Sequence, residues 1–176
     1  MASIERLEEI RKLNGEERIK KELELLINNP DSNAAFFVDY WDEDNPNPNH
    51  WKATLLGPIG TMYESGYFNL EVNFPSDYPN QVPTVKFRTK IFHCNINKND
   101  GTICIKILNN WATTTPRPLM IEVFDDLIFL LVYPNPDSKL NCDFGGKGPK
   151  FENTAREWVK KYANENDFDV SNKQVI

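Results

Sequence analysis

The sequence predicts an α+β fold, with an N-terminal helix, a four-stranded antiparallel meander sheet, a loop-rich stretch, a central buried helix and a C-terminal helix. Three observations carry this expectation. YFNLEVNF (67–74) alternates Phe68, Leu70, Val72 and Phe74 with Tyr67, Asn69, Glu71 and Asn73, the period of a strand with one face in a core. PLMIEVFDDLIFLLVYP (118–134) sets Met120, Phe124, Leu127, Ile128 and Leu131 on one helical face. Strand-like and helix-like segments are grouped along the chain rather than alternating, which is the order of an α+β domain and not of a doubly wound sheet.

The elements follow in order. Ile4, Leu7 and Ile10 have helical spacing, but Asn14-Gly15 interrupts them. Ile19, Leu23, Leu26 and Ile27 repeat at helical spacing between Glu16 and Asn29, and Pro30 ends the pattern. AAFFVDYW (34–41) is aromatic and β-branched, and HWKATLL (50–56) follows the acidic, Pro/Asn-rich loop DEDNPNPNH (42–50). GPIGTMYESG (57–66) reads as a loop, PSDYPNQVP (75–83) excludes regular structure, and TVKFR (84–88) alternates again. Four strands separated by short loops make a meander. NCDFGGKGPK (141–150) is Gly-rich loop, and FENTAREWVKKYA (151–163) is amphipathic through Phe151, Ala155, Trp158, Val159 and Tyr162. The organisation expected is an N-terminal extension (1–15), one core domain (16–164) and a polar tail (165–176).

Composition narrows the function. The 176 residues suffice for one domain with a core. Charged residues make up 26% and hydrophobic residues 40%, an ordinary globular mixture. Lys and Arg number 20 against 26 Asp and Glu; a net charge of −6 argues against a nucleic-acid partner. LIFLLVY (127–133), bounded by Asp126 and Pro134, falls far short of the roughly 20 residues of a membrane helix, so no membrane partner is expected. The N-terminus is charged and lacks an apolar signal core, and three cysteines make no disulfide framework. A cytoplasmic or nuclear location with reduced thiols follows.

KIFHCNINKNDGTICIKIL (90–108) holds Cys94, Cys104 and His93. A zinc site would need about four ligands at suitable spacing. No CxxC or HxxxH occurs, and Cys142 and His50 are remote in sequence. A Cys–His hydrolase would pair His93 with Cys104. Buried, hydrogen-bonded core residues are the third reading. Residue types and spacing leave these open.

HCNINKNDGTICIKIL resembles the active-site stretch of ubiquitin-conjugating enzymes, with its His-Pro-Asn, a Gly-containing turn and Ile-Cys-Leu. LLGPIGTMYESGYFNLEVNFPSDYP, Trp111, YPNPD (133–137), ERIKKEL (17–23) and TAREWVKKYA (154–163) resemble further family motifs, in order, over about residues 16–164. The resemblance implies that Cys104 accepts ubiquitin as a thioester from an activating enzyme and passes it to a substrate lysine with a RING- or HECT-type ligase. It implies no directly bound cofactor and no metal; ATP is consumed by the activating enzyme. Asn95 is implied as oxyanion donor or loop support, and His93 as a structural residue. Asp137 and Ser138 are implied in positioning the incoming lysine. Arg18, Lys20 and Lys21 are implied to meet the activating enzyme, and Asn80 and Pro116 the ligase.

The chain departs from the family pattern at several points. Cys94 replaces the Pro of His-Pro-Asn, Asn95 to Cys104 is one residue longer than usual, and Lys106 stands where an acid is frequent. Asn80 replaces an aromatic anchor, ATTTPRP (112–118) is longer, and the Gly145, Gly146 and Gly148 stretch is expected to lose a helix. Three rivals are a conjugating enzyme for another modifier such as SUMO, a non-catalytic scaffold of the same fold, and a thiol hydrolase.

Overall fold

The computed structural model describes residues 4–28, 36–42, 44–135, 140 and 148–164. Two helices come first, α1 (Ile4–Arg11) and α2 (Gly15–Ile27), joined through a Gly15 whose φ of 57° suits glycine. β1 (Phe36–Tyr40), β2 (His50–Leu56), β3 (Tyr67–Asn73) and β4 (Thr84–Phe87) follow, paired antiparallel in sequence order. Then come a short α3 (Lys106–Asn109), a 3₁₀ turn (Trp111–Thr113), α4 (Met120–Val132) and α5 (Pro149–Tyr162).

Alternation fixes which face of the sheet is buried. In register, Phe36 lies beside Leu55, Ala53 beside Leu70, Trp51 beside Val72, and Leu70 beside Phe87. All of these are buried and point to one side. α4 covers that side with Met120, Val123, Phe124, Leu127, Leu130 and Leu131, and Phe124 meets Phe36 at a ring-centroid distance of 5.2 Å. Its opposite side carries exposed Asp125, Asp126 and Phe129. α5 closes the far end, where Phe151 and Trp158 pack on Phe92 at 5.1 and 5.5 Å.

The N-terminal half is fastened by charge as well as by apolar contact. Arg18 and Glu22, a turn apart on α2, are each only 1% exposed and pair at 2.7 Å. Glu22 also accepts from the Tyr78 hydroxyl at 2.7 Å and from the first N–H of α4, at Met120. Arg18 donates to Pro118 O at 2.7 Å and to Arg117 O at 3.3 Å. Leu119 N–H is taken by Glu122 at 2.7 Å, so carboxylates serve two backbone donors at the start of α4.

The element boundaries follow the expected ones closely. Two features differ. The 4–10 pattern forms a complete helix. The stretch after Cys104 contains a single helical turn that four residues are too few to announce by periodicity. The expected loss of a helix around Gly145 and Gly146 lies outside the described residues.

Candidate active site

The segment from His93 to Cys104 is a hairpin standing on the end of β4. Ile96 and Ile103 form an antiparallel bridge, Asn97 N–H donates to Thr102 O at 2.8 Å, and Cys104 N–H donates to Asn95 O at 2.9 Å. The tip is shaped by short polar side chains. Asn97 Oδ1 accepts from Asn99 N–H and Asp100 Oδ1 from Thr102 N–H, both near 3.0 Å. The bonds from Thr102 hold the Asp100 carboxyl below its ordinary value. Gly101 sits at φ 70°, and a Cβ there would lie 1.8 Å from Phe87 O. Phe87 N–H donates to Gly101 O at 2.9 Å, so the tip is stapled to the sheet. Lys98, Asn99 and Asp100 form the tip, and the paired stem keeps Cys104 beside Asn95.

Under Cys104 the stem is pinned from inside. His93 is 1% exposed. Its Nδ1 accepts from Asn95 N–H at 3.0 Å, and Nε2 pairs with Leu130 O at 3.1 Å. An N–H donor at Nδ1 and a carbonyl acceptor at Nε2 select the neutral tautomer with the proton on Nε2. Burial lowers the His93 pKa to about 4, against the pull of the Leu130 carbonyl. Both ring nitrogens are engaged away from Cys104, which is the geometry of a structural pin rather than of a base for that thiol.

Asn95 is fully buried. Its Nδ2 donates to Asn135 O at 2.7 Å and its Oδ1 accepts from Asn135 N–H at 2.9 Å. This two-way clasp ties the hairpin to the chain leaving α4. Cys94, also fully buried, donates from Sγ to Asn95 Oδ1 at 3.3 Å, which suits a thiol where the related motif has proline. Cys104 itself is partly exposed. Asp137 and Ser138 lie outside the described residues.

The expected docking residues separate into two groups. Asn80 is exposed at the turn after Tyr78 and binds Asp77 Oδ1 at 3.0 Å, and Pro116 is exposed on the loop before α4. Trp111 draws these two loops together by donating from Nε1 to Pro79 O at 2.8 Å. Lys20 and Lys21 are about half exposed, 3.7 Å from Glu16 and 2.8 Å from Glu24 respectively. Arg18 requires a correction. It is 1% exposed and spent on Glu22 and the 117–118 carbonyls, so it cannot meet a partner. It lies on one ridge of α2 with Glu22 and Leu25, and the start of α4 covers that ridge.

One contact at the site carried no signal in the sequence. Asn109, at the end of α3, donates from Nδ2 to Cys104 Sγ at 3.3 Å. Only the fold-back of a four-residue helix brings it there. Among the described residues no group of three or more His, Cys, Asp or Glu is placed to hold a metal ion, and no helix is long and apolar enough to cross a membrane.

A partly exposed cysteine on a braced hairpin, beside a buried Asn and a neutral His, is accompanied by similarity along most of the chain. Residues 18–163 match the family model described as ubiquitin-conjugating enzyme. A Dictyostelium discoideum protein named ubiquitin conjugating enzyme E2 B is 37% identical over 151 residues, covering 83% of this chain and 96% of that protein. The solved E2 domain of a Toxoplasma gondii ubiquitin conjugating enzyme superposes with a TM-score of 0.73 at 28% identity, covering 84% of this chain and 98% of that one. Sequence motifs, sheet order and these similarities agree, and the chain belongs to the ubiquitin-conjugating enzyme family, transferases that need no bound cofactor.

Proposed function

We propose that this chain carries ubiquitin as a thioester on Cys104, receiving it from an ATP-consuming activating enzyme and passing it to a lysine amine on a substrate held by a ligase. The observation that supports this most is the placement of Cys104. Its thiol is partly exposed, while its backbone is fixed through Asn95 O and the clasp to Asn135. A thiol suits the task, because its thiolate is both a good nucleophile and a good leaving group. In loading, the new S–C bond forms as the donor's C–S bond breaks. In transfer, the amine nitrogen takes the acyl carbon, the Cys104–carbon bond breaks, and the amine proton passes to solvent.

In this reading Asn95 acts as loop support through Asn135, and an oxyanion role belongs to a rearranged, loaded state. Lys20 and Lys21 face the activating enzyme, Asn80 and Pro116 face the ligase, and Asp137 and Ser138 position the incoming lysine. Incubation with ubiquitin, activating enzyme and ATP, followed by a non-reducing gel, tests the reading. The expected product is an adduct heavier by one ubiquitin, lost on adding thiol reductant and absent in Cys104→Ala. Cys104→Ser should hold a reductant-resistant ester, because an alcohol replaces the thiol as acceptor. An adduct formed only with another modifier would change the cargo; none with any modifier would sink the reading.

A further inference from the structure

The hairpin explains how Cys104 is held. It does not explain the side chain lying against its sulfur. Asn109 closes α3, five residues after Cys104, and its Nδ2 donates to Sγ at 3.3 Å. This position is built rather than accidental. Ile105, buried and extended, sinks into the core directly after Cys104 and starts the turn. Asn109 N–H donates back to Ile105 O at 3.1 Å, and Asn110 N–H to Lys106 O at 2.9 Å. Trp111, 1% exposed and bonded to Pro79 O, anchors the far side of the turn. Two buried residues therefore bracket the turn, and Asn109, itself exposed, is returned to the mouth of the site.

We propose that Asn109 is a further catalytic residue, whose amide N–H stabilises the Cys104 sulfur when that sulfur carries negative charge. The proposal rests on the reading of Cys104 as acyl carrier and deepens it. In loading, the thiol gives its proton to solvent and the thiolate attacks the carbonyl carbon of the incoming thioester. The donor sulfur leaves with the electron pair of the broken bond and takes a proton from solvent. In transfer, the amine forms the C–N bond and the electron pair of the breaking C–S bond returns to Cys104. Negative charge sits on the same sulfur in both steps, before attack in loading and after C–S cleavage in transfer, within reach of the same donor. A neutral amide stabilises it without adding a charge that would repel a cationic lysine.

The test is alkylation of the full chain by iodoacetamide, with the rate followed at Cys104 by peptide mass spectrometry across a range of pH. Asn109→Ala should react about threefold more slowly at neutral pH, because the donor that favours negative charge on the sulfur is gone. At high pH Asn109→Ala should match or exceed the parent, since a sulfur freed of the amide bond is the stronger nucleophile. Asn109→Asp, with a carboxylate in place of the donor, should be slower than Asn109→Ala at neutral pH. Profiles of both variants superimposed on the parent's would overturn the proposal. So would variants that react faster at every pH, the mark of a loosened fold. The two readings fail separately. A parent that charges with ubiquitin but shows superimposed profiles keeps the carrier and loses Asn109. A parent that charges with no modifier, yet shows the expected crossing, keeps the amide–sulfur bond and loses the carrier.

Discussion

His93 shows how a single buried residue makes the fold around the site depend on pH. Its Nδ1 faces an N–H and its Nε2 faces a carbonyl, so the ring fits only as the neutral tautomer. A second proton would set two donors, His93 Nδ1–H and Asn95 N–H, against each other. In the unfolded chain the ring takes up a proton near its ordinary value of about 6.5, whereas burial delays this to about 4 in the fold. The unfolded state therefore binds more protons between those values, and stability falls as pH falls through that window. The loss is on the order of 3 kcal/mol, and it is complete below both values. Urea unfolding of the parent and of His93→Gln at pH 7 and pH 4 checks this. The parent should lose about 3 kcal/mol more than the variant on acidification; equal losses would show that the ring does not titrate as described.

At the scale of elements, α1 cannot stand alone. Eight residues are too few for a stable helix in water, so its helicity depends on what it docks against. Ile10, 4% exposed, packs with Leu25 and Leu119, apart from the main core. Arg11 reaches Arg117 O at 3.0 Å and Glu122 at 2.7 Å. Ile10→Ala removes the apolar half of that attachment, and amide exchange in residues 4–13 should accelerate by about tenfold or more while β2 and β3 keep their protection. Unchanged exchange in 4–13 would show that Arg11 and Leu7 hold the helix without Ile10.

How far each element could be read from the sequence has the same physical basis. The alternation of β3 and β4 was legible because every second residue of each is buried, and α4 and α5 because their buried stripes run for several turns. α1 was visible only as three apolar residues, since its docking arginine looks like any surface charge. α3 and the Asn109 contact were not legible at all, because a single turn has no period. The motif singled out His93, while its bonds to Asn95 N–H and Leu130 O appear only in the fold. The engagement of Asn95 with Asn135 was not legible either, since that partner lies 40 residues away.

Across the whole molecule the misread residue, Arg18, is the most informative. In sequence, Arg18 and Glu22 look like an ordinary exposed pair one helical turn apart. In the fold they are the joint where α2, the Tyr78 turn, the 117–118 loop and the start of α4 meet. Burial pushes the Glu22 carboxyl up, while Arg18, Met120 N–H and the Tyr78 hydroxyl pull it down. The pair's value lies in mutual compensation, since two buried charges of opposite sign tolerate each other far better than either tolerates solitude. Glu22→Ala leaves the Arg18 charge, the Tyr78 hydroxyl and the Met120 N–H without their acceptor, and should cost about 3–5 kcal/mol, a large part of the 5–15 kcal/mol typical of a domain. Arg18→Met should cost a similar amount, by stranding the carboxylate and the two loop carbonyls. The double variant strands no charge, so its loss should fall short of the sum of the singles by about 2 kcal/mol or more in urea unfolding. Additive losses would mean that the two residues stabilise separate neighbours rather than each other. The elements this joint unites also carry Lys20 and Lys21, Asn80 and Pro116. The surfaces proposed for the activating enzyme and the ligase are therefore set in relation to one another by a buried charge pair.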